Sequence, residues 1–156
     1  MAIRNIVKVG DDVLTKKCRV VDEINERIIT LLDDMRETLI ASNGVGLAAP
    51  QVGILKRIAL VDTGEEILEL INPEITHAEG EQTDFEGCLS NPGKFGEVTR
   101  PNIVSIKFQN RKGEWKTYTG EGLTARAFCH ELDHLDGHMF MEKVSRWADE
   151  GELELD

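Results

Sequence analysis

The chain has 156 residues, of which 40% are hydrophobic and 30% charged, a length and composition typical of one domain with its own core. Its formal net charge of −11 disfavours tight binding to nucleic acid or to an anionic membrane surface. Three cysteines do not form a disulfide framework, and there is neither a signal-peptide apolar run nor the roughly 18 consecutive apolar residues of a transmembrane helix, so we expect a cytoplasmic protein without membrane contact.

A helix is predicted over residues 22–42, where apolar side chains recur at helical spacing before the stop signal Asn43-Gly44. Residues 44–53 are too small and too rich in glycine for a helix. A short strand over 57–61 and a turn at 62–64 follow. We therefore expect the first helix to pack its apolar face on the core, ahead of a glycine-rich loop.

Strands dominate the middle of the chain. The strand predicted over 67–75 meets Asn72-Pro73, where it should bend or end. Residues 103–109 alternate with a period of two, and the turn residues 110–113 predict a hairpin. Strands between two helices, without βαβ alternation, indicate an α+β fold with antiparallel sheet. Further strands are predicted over 80–89, 97–109 and 114–119, then a second helix over 122–135 and a solvated acidic tail from about 148 to 156.

Residues 130–134 read HELDH, the HExxH pattern of metal-dependent hydrolases. On a helix His130 and His134 lie about 40° apart, one turn along the same face, so both imidazoles can bind one ion. Glu131 projects beside them, where it can take a proton from water that the metal activates. The alternative is a helix that carries two histidines by chance. It is weakened because Gly122 and Gly137 bound the helix and its other face offers Leu123, Ala127 and Leu135 to a core.

A catalytic site of this kind needs a third protein ligand. The HExxHxxGxxH pattern of one zinc-protease group matches at Gly137, but its next histidine position is Phe140, and His138 is out of register. A second group uses a glutamate farther downstream, where this chain has only its acidic tail. Neither peptidase pattern fits well.

The remaining candidates are three cysteines and one histidine: Cys18, Cys88, Cys129 and His77. Cys129 points about 100° away from the first histidine of the motif, and we interpret it as a small buried side chain. Cys18 and His77 have no supporting pattern and are interpreted as structural or surface residues. Cys88 lies in the stretch EGCLSNPG, after a strand and before a tight turn. Taken alone it suits a core position, but an HExxH without a third ligand favours it as that ligand.

Three motifs in this order resemble those of the peptide deformylases. Residues 44–51 (GVGLAAPQ) look like the family's GxGLAAxQ, residues 86–90 are its EGCLS, and residues 130–134 are its HExDH. Weaker landmarks extend the resemblance over nearly the whole chain, namely Gly10-Asp11, Asn72-Pro73, Arg100 and Gly122-Leu123. The resemblance implies a single catalytic domain over residues 1–156, with antiparallel β-sheets packed around a central helix that carries HExxH.

The chain departs from the family pattern at a few positions. Asn91 stands where an apolar residue is usual, Cys129 where glutamine is common and Asp12 where proline is frequent. Asn91 and Cys129 are expected to border the substrate cleft, so they bear on fine specificity and not on the reaction. The short acidic C-terminus lacks the long basic helix with which some members contact the ribosome.

The resemblance also implies a metal centre. Cys88, His130 and His134 would bind one divalent ion with water in the fourth position, Fe²⁺ in the cell and Zn²⁺, Ni²⁺ or Co²⁺ as substitutes. Side-chain chemistry alone does not select among these metals, because Cys and His suit both zinc and iron.

The implied reaction is hydrolysis of the N-formyl group on the initiator methionine of new polypeptides, releasing formate. Glu131 would act as general base and then protonate the leaving amine, while the Gln51 side chain and the Leu89 N–H would bind the oxyanion. Transient contact with the ribosome is compatible with this role, without direct reading of nucleic acid. The residues expected to bind the peptide and its methionine are Gly46, Gly87, Val45, Leu123 and Ala127, with core packing an open alternative for the last two.

Two other functions stay open at this stage. One is a zinc endopeptidase that uses HExxH with a ligand other than Cys88. The other is a non-enzymatic binding module stapled by a metal, which would have no need of the base Glu131.

Overall fold

Two antiparallel sheets and two long helices make up the part of the chain that the computed structural model describes, residues 2–149. The elements are α1 (Glu26–Ser42), β1 (Gly46–Ala48), β2 (Ile58–Asp62), β3 (Ile67–Glu79), β4 (Gln82–Cys88), β5 (Asn91–Arg100), β6 (Ile103–Gln109), β7 (Trp115–Glu121), α2 (Leu123–Leu135) and β8 (Arg146–Trp147). One sheet has five strands in the order β1-β2-β3-β6-β7, and the other has three in the order β4-β5-β8. The predicted α+β fold with antiparallel sheet is confirmed.

Helix α1 begins later than the predicted residue 22 because Asn25 caps it. The Asn25 side chain accepts a hydrogen bond from the Ile28 N–H at 3.2 Å. The helix ends at Asn43, which adopts the left-handed conformation with φ 55°. Its buried face packs against the five-stranded sheet in one apolar cluster that includes Leu31, Leu32, Met35, Leu39, Leu47, Ile58, Leu60 and Ile71.

Strand β3 continues through Asn72-Pro73, so the predicted bend is right and the predicted end is wrong. Asn72 takes a left-handed φ of 52°, and the register with β6 shifts between Ile71 and Glu74. The Asn72 side chain accepts a hydrogen bond from the Val21 N–H at 2.8 Å and donates one to the Val21 carbonyl at 2.9 Å, so the irregularity is held by side-chain contacts. The Asn72 side chain thus helps β3 to continue as one strand past Pro73.

The predicted strand over 97–109 is wrong as a single element. The chain breaks at Pro101, which has no N–H to donate to a sheet, and the two halves join different sheets as β5 and β6. The tight turn after Cys88 lies at Leu89 and Ser90, and Asn91 already begins β5. The tight turn predicted directly after Cys88 is therefore confirmed.

Helix α2 lies against the five-stranded sheet. Its apolar face, including Ala125, Phe128 and Cys129, joins a cluster with Leu70 and Ile106. Leu135 is buried, but Leu123 is 62% exposed, so core packing, one of the two alternatives for Leu123, is wrong. In the first turn of the helix Leu123 borders a cleft instead.

The end of the described chain adds little to the core. The short strand β8 pairs with β5. The acidic tail predicted from about residue 148 lies largely outside the described residues, and its exposure stays a prediction. Within residues 2–149 no helix is long and apolar enough to cross a membrane.

Candidate metal centre and active site

Three side chains from two elements form a compact set of metal-binding atoms. Helix α2 presents His130 and His134 on one face, and β4 ends at Cys88. The ligand atoms of the three residues lie within 4.8 Å of one another, and Cys88 Sγ is 3.3 Å from His134 Nε2. Metal–sulfur and metal–nitrogen bonds of about 2.3 and 2.0 Å are compatible with such separations around one ion. The donor set therefore fits a divalent metal.

The other candidate ligands lie elsewhere. Cys18 and Cys129 are buried in apolar clusters, and burial raises the pKa of both thiols. His77 is exposed and pairs with Glu79 at 3.2 Å. Phe140, where a third histidine would stand in one protease pattern, stacks its ring on His130 with centroids 5.9 Å apart. The interpretation of Cys18, Cys129 and His77 as structural or surface residues agrees with these positions.

Glu86 orients the first histidine. Its Oε2 lies 2.6 Å from His130 Nδ1, which leaves Nε2 for a metal. The carboxylate also accepts hydrogen bonds from Arg100 at 2.7 and 3.1 Å and from Arg126 at 2.9 Å. Burial alone would raise the pKa of Glu86, but the hydrogen bonds with His130 and Arg100 hold it well below its usual range. Glu86 is therefore an ionised partner of His130.

Arg100 connects this carboxylate to the helix that carries the motif. Its guanidinium donates to Asp133 Oδ2 at 2.7 Å, and Lys143 lies 3.1 Å from the same oxygen. Burial opposes the charge of Arg100, but Glu86 and Asp133 raise its pKa above the usual range. The arginine thus fixes β4 and β5 against α2 at the level of the metal-binding set.

Sequence reasoning missed four residues of this site: Glu86, Ser90, Arg100 and Arg126. Glu86 and Ser90 belong to the motif EGCLS, and Glu86 lies two positions before Cys88, on the same face of a strand. Arg126 precedes His130 by one helical turn, so it shares a face with that ligand. Sequence spacing could have placed Glu86 and Arg126 near the site, although it could not have shown that they bind each other.

Glu131 is buried beside the ligands with a free carboxylate oxygen. It is 3% exposed, and Oε1 has no hydrogen-bond partner in residues 2–149. Burial raises the pKa of Glu131 to about 7, although the positive charge of His130 opposes the rise. A side chain at Gly46 would collide with this carboxylate, so the glycine makes room for it. Glu131 can therefore accept and return a proton near neutral pH.

The two histidines differ in their surroundings. Burial and the neighbouring His130 lower the pKa of His134 to about 3, so His134 is the neutral imidazole that a metal ligand requires. Burial would also lower the pKa of His130, but the charge of Glu131 and hydrogen bonds with Cys88 and Glu86 raise it to about 10. The negative surroundings that favour a proton on His130 also favour a metal cation.

The Gln51 side chain is aimed at the same place. It lies in a 3₁₀ turn, Ala49–Val52, and is 1% exposed. Its Oε1 accepts the Ala48 N–H at 2.9 Å, and its Nε2 donates to Ser90 Oγ at 3.1 Å and lies 3.5 Å from Cys88 Sγ. These contacts fix which end of the amide is the donor. One N–H group is thus directed toward the ligands, and Leu89 follows the cysteine at the turn.

A cleft of about 430 Å³ opens onto these groups. It lies along β1 and β4, each of which is an outer strand of its sheet. Ala127 is 6% exposed and packs in the core as well as lining the cleft, so core packing is confirmed for this residue and its contact with substrate stays a prediction. All five residues predicted to bind the substrate line this cleft, namely Val45, Gly46, Gly87, Leu123 and Ala127.

Comparisons with known proteins give the chain its family. Residues 3–150 match the model of the family described as Polypeptide deformylase. Peptide deformylases of Caldanaerobacter subterraneus and Acetivibrio thermocellus are each 58% identical over 154 residues, which is 99% of this chain and 97% and 91% of theirs. The crystal structure of peptide deformylase from Thermotoga maritima superposes with a TM-score of 0.90 at 38% identity, covering 93% of this chain and 99% of that one. The chain belongs to the peptide deformylase family, metal-dependent hydrolases that remove the N-formyl group from newly made polypeptides.

Proposed function

We propose that this chain removes the formyl group from the N-terminal formylmethionine of new polypeptides by the residues predicted from its motifs. The convergence of Cys88 with both histidines of HExxH is the observation that carries the proposal. An endopeptidase with a different third ligand is disfavoured, because Phe140 stands at the alternative position. A purely structural metal site would have no use for the unpaired carboxylate oxygen of Glu131.

The residues suited to hold the ion are Cys88, His130 and His134. We propose Fe²⁺ as the ion in the cell, by family resemblance, with Zn²⁺, Ni²⁺ or Co²⁺ as substitutes. When bound, such an ion supplies Lewis-acid chemistry, lowering the pKa of water and polarising a carbonyl oxygen. Glu86 keeps His130 oriented, and the half-buried Cys88, bound as a thiolate ligand, would temper the charge of the ion.

Proton transfer falls to Glu131. The carboxylate takes a proton from the attacking water and delivers it to the nitrogen of the departing methionine amine. The formyl oxygen gains negative charge as the carbonyl carbon becomes tetrahedral, and the Gln51 Nε2–H and the Leu89 N–H donate hydrogen bonds to it. Because Ala48 and Ser90 already hold the Gln51 amide, little reorganisation is needed during the reaction.

The peptide fits the cleft as an added strand. Gly46 on β1 and Gly87 on β4 let a substrate backbone approach both outer strands closely. A methionine side chain would then lie among three apolar residues, the exposed Val45 and Leu123 and the buried Ala127. This arrangement recognises an N-terminal apolar residue and leaves the rest of the peptide free.

The test is formate release by metal-loaded protein prepared without oxygen. We expect the protein to release formate from formyl-Met-Ala-Ser. Release of acetate from acetyl-Met-Ala-Ser should be far slower. Peptide deformylases from Acinetobacter baumannii and Synechococcus elongatus have been crystallised with actinonin, so this compound should inhibit the reaction at the same site. No formate release, when one of these relatives is active in the same assay, would contradict the proposal.

We further propose that residues 1–156 act as one catalytic domain in a bacterial cytoplasm and meet their substrate on emerging chains through transient contact with the ribosome. The relatives of this chain are bacterial deformylases. Cosedimentation with ribosomes that carry a formylated nascent chain, compared with empty ribosomes, tests the contact.

A further inference from the structure

Residues 7–9 tie together two loops that follow strands of different sheets. The Val7 N–H donates to the Gln51 carbonyl at 2.7 Å, and the Val9 N–H donates to the Ser90 carbonyl at 2.9 Å. Gln51 follows β1 of the five-stranded sheet, whereas Ser90 lies in the turn after β4 of the three-stranded sheet. Val9 lies in a turn that the Asp11 N–H closes by donating to the Lys8 carbonyl at 3.2 Å.

A side-chain contact continues the connection from Ser90 to Gln51. Ser90 is 1% exposed, and its hydroxyl oxygen accepts a hydrogen bond from Gln51 Nε2 at 3.1 Å. Val9 therefore fixes the backbone of Ser90, and the Ser90 side chain orients the Gln51 amide. Val7 fixes the backbone of Gln51 itself, so the amide is held from both directions.

The segment is itself anchored on helix α1. The Ala2 N–H donates to Asp34 Oδ1 at 2.7 Å, and the Arg4 N–H donates to Thr38 Oγ1 at 2.9 Å. The Val9 side chain is 44% exposed, so the contribution of this residue lies in its backbone and not in core packing. Helix α1, which contributes no ligand, thus supports the loops of the active site through residues 2–9.

We propose that residues 7–9 are a positioning element for Gln51, holding its amide in register with the Leu89 N–H. The proposal rests on the proposed function, in which these two groups bind the oxyanion. Two donors from separate sheets must converge within a fraction of an ångström, and an error of about 1 Å costs about 100-fold in rate. A backbone bridge at the junction of the sheets meets this requirement.

The test is a double-mutant cycle in the metal-loaded protein. Val9→Pro removes the N–H, and Val9→Ala keeps it while trimming the side chain. We expect Val9→Pro to lower kcat about tenfold at nearly constant KM and metal content, and Val9→Ala to behave as wild type. In a Gln51→Ala background, Val9→Pro should lower kcat by less than about twofold further, because its effect passes through Gln51.

Equal losses in both backgrounds would overturn the proposal, as would wild-type kcat for Val9→Pro. If the proline variant does not fold, α-hydroxyvaline at position 9 replaces the N–H by an oxygen and enters the same cycle. Absence of formate release from the wild type would instead contradict the proposed function. The order of the Gln51 side-chain amide, measured by ¹⁵N relaxation, then decides: it must fall when the Val9 N–H is removed, and an unchanged value would overturn the positioning role.

Discussion

The carboxylate of Glu86 lies 2.6 Å from Nδ1 of His130, and both side chains are buried. A carboxylate in this position fixes the tautomer and the ring orientation of a metal ligand and increases its basicity. Two arginines, Arg100 and Arg126, surround the same carboxylate and keep it ionised. A buried charge network, and not the three ligands alone, therefore defines the metal centre.

Substituting Glu86 by glutamine should weaken metal binding without removing a ligand. The amide keeps the size of the side chain but loses the charge that the histidine and the two arginines require. Partners of this kind are worth about 10–100-fold in metal affinity or activity, and we expect a loss in this range for metal affinity, measured by competition with a chelator. Glu97→Gln, at a half-buried carboxylate of β5 that pairs with Arg146 and not with a ligand, is the control and should bind metal as wild type. Unchanged affinity in Glu86→Gln would contradict the role.

The ligands could be predicted from the sequence, whereas the network around them could not. His130 and His134 follow from helical spacing, and Cys88 follows from the missing third ligand together with the motif around it. The contacts of Glu86 with Arg100 and Arg126 join residues 14 and 40 positions apart. No local periodicity encodes such pairs, because they depend on how β4, β5 and α2 pack.

The fold shows a similar division. Helices α1 and α2 could be predicted from the helical spacing of apolar residues and from the stop signals that follow them. The predicted start of α1 was too early, because Asn25 caps the helix. The break at Pro101 escaped prediction because Pro101 lies inside an otherwise strand-like run, and only the sheet topology separates β5 from β6. The 3₁₀ turn that carries Gln51 was also missed, since a side-chain contact to the Ala48 N–H stabilises it.

Removing the base should separate metal binding from turnover. Glu131→Ala leaves Cys88, His130 and His134 in place, so we expect normal metal content. General-base catalysis contributes about 10²–10⁴-fold, and kcat should fall by a factor in this range. His77→Ala, at an exposed position, is the matched control. Full turnover by Glu131→Ala would show that another group moves the proton.

The substitution Gly46→Ala should displace the Glu131 carboxylate without changing Glu131 itself. An alanine side chain would overlap the Glu131 carboxylate, which is buried and has little room to move. A displacement of about 1 Å would lower kcat about 100-fold, with normal metal content. In the Glu131→Ala background the collision is absent, so Gly46→Ala should cost nothing further. An equal loss in both backgrounds would instead indicate a role in binding the peptide.

Glu69 gives a prediction about stability that is independent of the metal. Burial would raise the pKa of Glu69, but hydrogen bonds and charge from Arg111 and Arg36 lower it below the usual value. The unfolded chain therefore binds more protons in the acid range, so this contribution to stability is present near neutral pH and is lost as the pH falls through the lowered pKa. Glu69→Gln should reduce the free energy of unfolding by about 1 kcal/mol at neutral pH.

The difference between wild type and Glu69→Gln should shrink toward zero below about pH 4, where a glutamate takes up a proton. Urea denaturation of the metal-free proteins at several pH values measures it, so that loss of the ion in acid does not enter the comparison. Glu74→Gln removes an exposed partner of Lys107 and should show a smaller difference at every pH. A Glu69→Gln difference that stays constant from neutral to acid pH would assign the effect to packing, because packing does not titrate.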